Sequence, residues 1–137
     1  MKFSRVSLIV FAIAGVSGAV SVACAAFADH GLAHMVPDGE RAVRLFREAV
    51  DFEIKHALAA IVVAVMGDLV AQTRGAKAFH IAAVLFTVGT VLFPSALYTS
   101  AFSGPVFWAP WGGTAAIAGW LCFAVAALLG FSKRREG

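Results

Sequence analysis

Long apolar stretches separated by short polar segments dominate the sequence. Four stretches of about twenty residues, with almost no charge, cover 6–28, 54–71, 78–99 and 112–131. An α-helix rises about 1.5 Å per residue, so each stretch can cross a hydrocarbon core of roughly 30 Å. A helix also pairs its backbone polar groups internally, as a bilayer requires. The pattern predicts an all-α integral membrane bundle of four transmembrane helices, forming one domain over residues 1–137.

The polar segment before the second stretch has helical periodicity. Asp38, after Pro37, is a suitable N-cap residue. Oppositely charged residues then recur four positions apart: Glu40 and Arg44, Arg44 and Glu48, Arg47 and Asp51, Asp51 and Lys55. Apolar residues occupy the other face: Ala42, Leu45, Phe46, Ala49 and Phe52. We expect an amphipathic helix leading into the second span, bent or docked, because one straight helix through both would exceed the bilayer.

Composition agrees with a membrane protein. Hydrophobic residues make up 61% of the 137 positions and charged residues 14%, which excludes an ordinary soluble domain. The net charge of +3 does not indicate nucleic-acid binding, because the basic residues lie at the ends of segments and not on one basic face. The expected surroundings are therefore the lipid bilayer and other membrane proteins.

The distribution of basic residues predicts an orientation. Seven lie on one side of the predicted membrane: Lys2, Arg5, Arg74, Lys77, Lys133, Arg134 and Arg135. On the other side, four basic residues are mixed with acids in the first loop, and the third loop is uncharged. The positive-inside rule then places both termini in the cytoplasm.

The amino-terminal stretch has a second interpretation. Lys2 and Arg5, an apolar run and Ala26-Phe27-Ala28 resemble a secretory signal with an A-x-A cleavage site, whose removal would leave three spans. The run is longer than a usual signal core, which favours a retained helix. Gly15, Ala19 and Ala23 also share one helical face, as in helices that pack closely in lipid.

Aromatic residues mark the third loop, predicted over 100–113, in which Pro105 and Pro110 disfavour a helix. Phe107, Trp108 and Trp111 are typical of an aromatic belt at the membrane surface. They are also suited to a docking surface for another membrane protein, and both interpretations stay open.

Ionisable groups in or near a bilayer are costly and are therefore the first functional candidates. We expect a polar network near the outer face: Asp29, His30, Glu53, His56 and Tyr98. His30, His34 and His56 could alternatively bind zinc or copper or pass a proton. A structural hydrogen-bond network is the favoured interpretation, and no cofactor is expected.

Other polar residues in the spans have simpler expected roles. Asp68 lies close enough to Arg74 and Lys77 to be neutralised by them, and His80 is expected at the membrane surface. Trp120 lies deep in the fourth span, so its indole N–H needs an acceptor. We expect that acceptor among the hydroxyls of the third span, which predicts a contact between the third and fourth spans.

Four landmarks along the chain resemble the small membrane family catalogued as domain of unknown function 423. They are Asp29-His30-Gly31-Leu32, His56-Ala57-Leu58-Ala59, Phe93-Pro94-Ser95-Ala96-Leu97-Tyr98 and Pro110-Trp111-Gly112-Gly113. Asp29 and Pro94 depart from that family's Ala and Ser. The resemblance implies four helices and an inner-membrane location, and it transfers no activity.

The sequence contains no G-x-S-x-G, H-E-x-x-H or glycine-rich phosphate loop, so an enzyme is not expected. The leading prediction is a non-enzymatic membrane protein, an accessory or assembly subunit that packs against other membrane helices or against itself. The alternative is a small transporter or a metal- or proton-responsive protein that uses the outer histidines.

Overall fold

Five helices joined by short connections make up residues 2–130, the part of the chain that this computed structural model describes. They are α1 (Arg5–His30), α2 (Leu32–Met35), α3 (Gly39–Leu69), α4 (Ala76–Ser103) and α5 (Ala109–Gly130). No strand occurs within these residues. The central pair α3 and α4 packs along its length, α5 lies against α4, and α1 lies mainly against α3. The predicted all-α architecture is therefore confirmed.

Three helices are long and apolar enough to cross a membrane: Arg5–His30, Ala76–Ser103 and Ala109–Leu129. They correspond to the first, third and fourth predicted spans, although position 131 lies outside the described residues. The second predicted span forms the later half of α3. That helix is not among the three, because its apolar part is bounded by charged residues such as Glu53 and Asp68.

The first half of α3 carries the predicted amphipathic pattern. Asp38 is its N-cap, and Oδ1 accepts from the Arg41 N–H at 3.1 Å. The helix then runs for 31 residues without interruption. The helix is continuous because small or apolar residues are buried on one face along the whole length of α3. They are Ala42, Phe46, Ala49, Ala57, Ala60, Val63 and Ala64. Packing on α1 and α4 supports both halves as one helix.

The charged face of α3 forms fewer internal pairs than predicted. Among the described residues, one of the four predicted i,i+4 pairs is present, with Lys55 Nζ 2.6 Å from Asp51 Oδ2. Arg47 instead reaches Asp29 of α1, with 2.9 Å between Nη2 and Oδ1. The pattern of charges on one helix could not show that a neighbouring helix supplies a competing partner.

The buried face of α1 consists of small and hydroxyl residues: Ser7, Val10, Ala14, Ser17, Ser21 and Ala28. Gly15, Ala19 and Ala23 are exposed on the opposite side of the helix. A Cβ built at Gly15 would have nothing within 4 Å. The small-residue face that was predicted to pack is thus not used within this chain.

Two sequence landmarks meet where α4 crosses α5. Gly112 lies against the backbone of Phe93, and a Cβ at position 112 would stand 2.8 Å from the Phe93 Cα. A Cβ at Gly89 would stand 3.0 Å from the Gly112 carbonyl oxygen. Glycines at these positions therefore allow close helix approach, as small residues do in membranes. The α4–α5 contact is the predicted one between the third and fourth spans.

The connection between α4 and α5 is shorter than predicted. It covers only 104–108, because α4 continues to Ser103 and α5 already begins at Ala109. Pro110 lies in the first turn of α5, where the missing N–H is not needed. Gly104 has φ 83°, a left-handed conformation that glycine adopts readily and that ends α4.

Apolar side chains form two clusters, one toward each end of the bundle. The larger lies between α3, α4 and α5 and includes the fully buried Phe79 and Phe86. The second joins the end of α1, α2, the start of α3 and the end of α4 around Leu32 and Phe46. The α2 turn, with Leu32 entirely buried, thus closes this end of the bundle.

Candidate functional site

Polar side chains from three helices meet where α1 and α4 begin and α3 ends. This group, the Asp68 cluster, consists of Ser4, Ser7, Asp68 and His80. Ser4 is the N-cap of α1, and its hydroxyl accepts from the Ser7 N–H at 3.1 Å. The Ser4 backbone N–H donates to Asp68 Oδ2 at 3.2 Å. The cluster therefore joins the start of the chain to residues far along it.

His80 lies at the centre of the Asp68 cluster. Its Nε2 is 3.0 Å from Asp68 Oδ1 and 3.2 Å from Ser4 Oγ, and its Nδ1 is 2.9 Å from the Ala76 carbonyl oxygen. The ring fits because α3 has a glycine beside it, since a Cβ at Gly67 would stand 2.8 Å from His80 Cε1. The side chain of Asp68 is only 6% exposed. The site is thus built by close packing as well as by hydrogen bonds.

Serine, histidine and aspartate are also the components of a catalytic triad, but their geometry here differs. In a triad the hydroxyl and the carboxylate contact opposite nitrogens of the imidazole. In the Asp68 cluster both contact Nε2, while Nδ1 faces the Ala76 carbonyl. The Asp68 carboxylate therefore does not orient the His80 ring to activate a serine. The Asp68 cluster instead holds together the start of α1, the end of α3 and the start of α4.

This site was not predicted from the sequence. We expected Arg74 and Lys77 to neutralise Asp68. In the structure, Arg74 and Lys77 are exposed instead. The partners of Asp68 are His80 and the amino-terminal serines. The sequence carried only a weak signal for this contact. Asp68 lies near the end of one apolar stretch and His80 near the beginning of the next, on the same side of the predicted membrane. Nothing in the pattern indicated that Ser4 would join them.

A second polar contact lies toward the opposite end of the bundle. Glu53 of α3 is 5% exposed, and its Oε2 accepts from the Tyr98 hydroxyl at 2.8 Å. Among the described residues, Lys and Arg form no ion pair with Glu53. Cys24 of α1 packs beside Tyr98. Burial of a carboxyl group with one hydroxyl donor is costly, so Tyr98 is an important partner.

The orphan Ser21 hydroxyl lies on the same buried face of α1 as Ser17. Its Oγ is buried without a hydrogen-bond partner. It is one helical turn from Cys24, which packs beside Tyr98. The interface of α1 with its neighbours is therefore more polar than the adjacent lipid-facing surfaces.

His56 is occupied by two hydrogen bonds. Its Nδ1 donates to the Phe52 carbonyl oxygen at 2.8 Å, so Nε2 is free to accept from Trp120 Nε1 at 3.3 Å. The acceptor of the Trp120 indole is thus a histidine of α3, and the expected hydroxyl acceptor on the third span was wrong. The Trp120 ring also stacks edge-on against Phe86 of α4, at 4.9 Å between centroids.

The predicted outer network divides into separate parts. Tyr98 and Glu53 pair with each other, Asp29 pairs with Arg47, and His56 pairs with Trp120. His30 and His34 are exposed. Within residues 2–130, no group of three or more His, Cys, Asp or Glu side chains is arranged to hold a metal ion. His30, His34 and His56 are therefore not brought together as a metal site.

Arg41 makes a contact that sequence reasoning missed. Its Nη1 donates to the Ser100 carbonyl and its Nη2 to the Ser100 hydroxyl, both at 3.1 Å. The Ser100 carbonyl also accepts from the Gly104 N–H at 3.2 Å, so Arg41 is its second donor, and the cation complements the dipole at the carboxy-terminal end of α4. The start of α3 is thereby fastened to the end of α4.

The aromatic connection lies at the same end of the bundle. Phe107 is 82% exposed and Trp111 68% exposed, whereas Trp108 is half-buried. The rings of Phe107 and Trp108 are perpendicular, with centroids 5.6 Å apart. Both exposed rings are available to lipid or to another protein.

Comparison with known proteins identifies a family and no function. A family model described as "Protein of unknown function (DUF423)" matches residues 24–119. The chain is 32% identical over 119 residues to the UPF0382 inner membrane protein YgdD of Escherichia coli K12, covering 84% of this chain and 86% of that protein.

Two further relatives come from other bacteria. The UPF0382 membrane protein of Haemophilus influenzae is 30% identical over 115 residues, with 82% of this chain and 87% of that protein covered. The UPF0382 membrane protein YwdK of Bacillus subtilis is 31% identical over 125 residues, with 87% and 96% covered. No solved structure matches the chain.

Proposed function

The chain belongs to the DUF423 family, and we propose that it is a non-enzymatic accessory or assembly protein that packs against other membrane helices. The proposal rests first on membrane residence. Three of its helices are apolar enough to span a bilayer, and its relatives are named membrane proteins. Its role would then be expressed through contacts within the membrane.

We place α3 as a fourth span. Between Lys55 and Asp68 it contains no Asp, Glu, Lys or Arg, and this part packs along α4 over the same length. Its first half projects beyond the bilayer with the ends of α1 and α4. The basic residues then favour cytoplasmic termini, and the name of the Escherichia coli relative favours an inner membrane.

The observation that best supports association is the unused face of α1. Gly15, Ala19 and Ala23 are exposed, while the serine-rich opposite face packs within the bundle. In lipid, small residues at four-residue spacing allow another helix to approach closely, and packing there drives association. The exposed rings of Phe107 and Trp111 would extend such a contact beyond the span.

Native mass in a mild detergent tests the proposal. The tagged wild-type chain should migrate as a larger species with other chains, either copies of itself or other membrane proteins. Gly15→Leu/Ala19→Leu should release the 14.3 kDa monomer, because two bulky side chains block close approach. Ala124→Leu adds similar bulk to an exposed position of α5 and should leave the larger species intact.

Two results would reject this function. One is a wild-type chain that is monomeric in mild detergent and in bilayer discs. The other is a larger species that persists in Gly15→Leu/Ala19→Leu to the same extent as in Ala124→Leu. Circular dichroism of each variant shows whether the helices have formed.

A further inference from the structure

An open groove of about 310 Å³ lies between α1 and α3, at the end of the bundle where α1 finishes. Its apolar lining comes from Ala25, Val50 and Ile54. Its charged lining is Asp29, Arg47, Asp51 and Lys55. In the spanning arrangement proposed above, the groove lies at the outer membrane surface, with Arg47 and Asp29 farthest from the membrane centre and Ala25, Ile54 and Lys55 nearest to it.

The groove carries two positively and two negatively charged side chains, and all four are exposed. Arg47 pairs with Asp29 across the groove, and Lys55 pairs with Asp51 along α3. All four side chains are more than half exposed, so each pair contributes little to stability and exchanges partners readily. Two cations and two carboxylates are therefore available to a ligand at little cost.

We propose that this groove binds a phospholipid with a zwitterionic, primary-ammonium head group, the phosphatidylethanolamine class. Arg47 and Lys55 would donate to the phosphate, and Asp29 and Asp51 would accept from the ammonium N–H groups. An acyl chain would lie along Ala25, Val50 and Ile54. An anionic ligand without an ammonium group would meet two unpaired carboxylates, and a purely apolar ligand would leave all four charges unused.

The carboxylates also predict selectivity between two zwitterionic lipids. An ethanolamine head group has N–H donors that Asp29 and Asp51 can accept. A choline head group carries the same charge but has no N–H, so it loses these hydrogen bonds. A hydrogen bond to a charged group changes affinity by about tenfold or more. The predicted order is phosphatidylethanolamine before phosphatidylcholine, with anionic phosphatidylglycerol also weaker.

Native mass spectrometry of the full chain in mild detergent tests this order. The protein is titrated separately with phosphatidylethanolamine, phosphatidylcholine and phosphatidylglycerol of identical acyl chains. The first should form its one-lipid complex at about tenfold lower concentration than the other two. Arg47→Gln/Lys55→Gln should raise that concentration about tenfold. Asp29→Ala/Asp51→Ala, which removes both acceptor groups, should remove the preference for ethanolamine over choline.

Arg44→Gln is the matched control. Arg44 is exposed on the same helix but does not line the groove, so its removal should leave the lipid order unchanged. Equal binding of the three lipids would overturn the proposal, as would an Arg44→Gln effect equal to that of Arg47→Gln/Lys55→Gln. Because native mass spectrometry resolves each assembly by its own mass, the number of lipids bound per chain is read separately from association through α1.

Discussion

The Nε2 atom of His80 lies 3.0 Å from Oδ1 of Asp68, while Nδ1 lies 2.9 Å from the carbonyl oxygen of Ala76. A carbonyl and a carboxylate only accept hydrogen bonds. His80 therefore faces an acceptor at each ring nitrogen and joins the start of α4 to the end of α3, at a position where Asp68 is almost fully buried.

His80→Ala should lower the free energy of unfolding by about 1–3 kcal/mol, because it removes one of the hydrogen-bond partners of a buried carboxyl group. Denaturation in mixed detergent micelles measures this change. Asp51→Ala, which removes an exposed ion pair of α3, should cost less than about 1 kcal/mol. A double-mutant cycle of His80→Ala with Asp68→Ala should show coupling, and additive effects would refute the pairing.

Gly112→Ala and Gly113→Ala should have opposite effects. At Gly112 the new Cβ would overlap the backbone of Phe93, so α4 and α5 must separate at a cost of about 1–3 kcal/mol. At Gly113 the nearest atom is Phe93 Cδ2 at 3.9 Å, an ordinary contact. Alanine there should stabilise the helix by about 0.5–1 kcal/mol. Thermal unfolding in detergent compares the two variants, and equal effects would contradict this crossing.

Tyr98→Phe should destabilise the protein by about 1–3 kcal/mol, because the buried Glu53 loses its hydroxyl donor. Glu53→Gln keeps an acceptor oxygen for Tyr98 and should cost less. In a Glu53→Ala background, Tyr98→Phe should have little further effect on unfolding in micelles. A full loss in that background would mean that the hydroxyl acts through another partner.

Cysteine labelling tests the fourth span and the orientation. In a chain with Cys24→Ser and Cys122→Ser, an impermeant maleimide added to intact cells should label Pro37→Cys and Phe107→Cys. Gln72→Cys should react only after the membrane is opened. All three positions are exposed in the structure, so a difference reports the side of the membrane. Labelling of Pro37→Cys and Gln72→Cys from the same side would show that α3 does not span.

Periodicity identified what each helix contributes on its own. It located three spanning helices, the N-cap at Asp38 and the apolar face of α3, because all three depend on residues near each other in sequence. The resemblance to the DUF423 family is confirmed by the family match. These features required no knowledge of which helices are neighbours.

Contacts between helices were harder to predict, since a pattern describes a face and not what lies opposite. The Trp120 indole required an acceptor, but only the packing of α3 against α5 showed it to be His56. Arg47 had a suitable partner on its own helix and instead reached Asp29. An unbroken helix through both parts of α3 was one of the arrangements that the sequence left open, and its 31 residues lie beside the long helices α1 and α4.

The Asp68 cluster has a consequence for biosynthesis. Ser4 leaves the ribosome before its partners Asp68 and His80, which follow 64 and 76 positions later. The amino-terminal helix must therefore enter the membrane and wait there without its polar contacts while α3 is made. Only when the start of α4 arrives can this end of the bundle close. Its closure is a late event of translation and a step at which an insertion factor could act on the first helix.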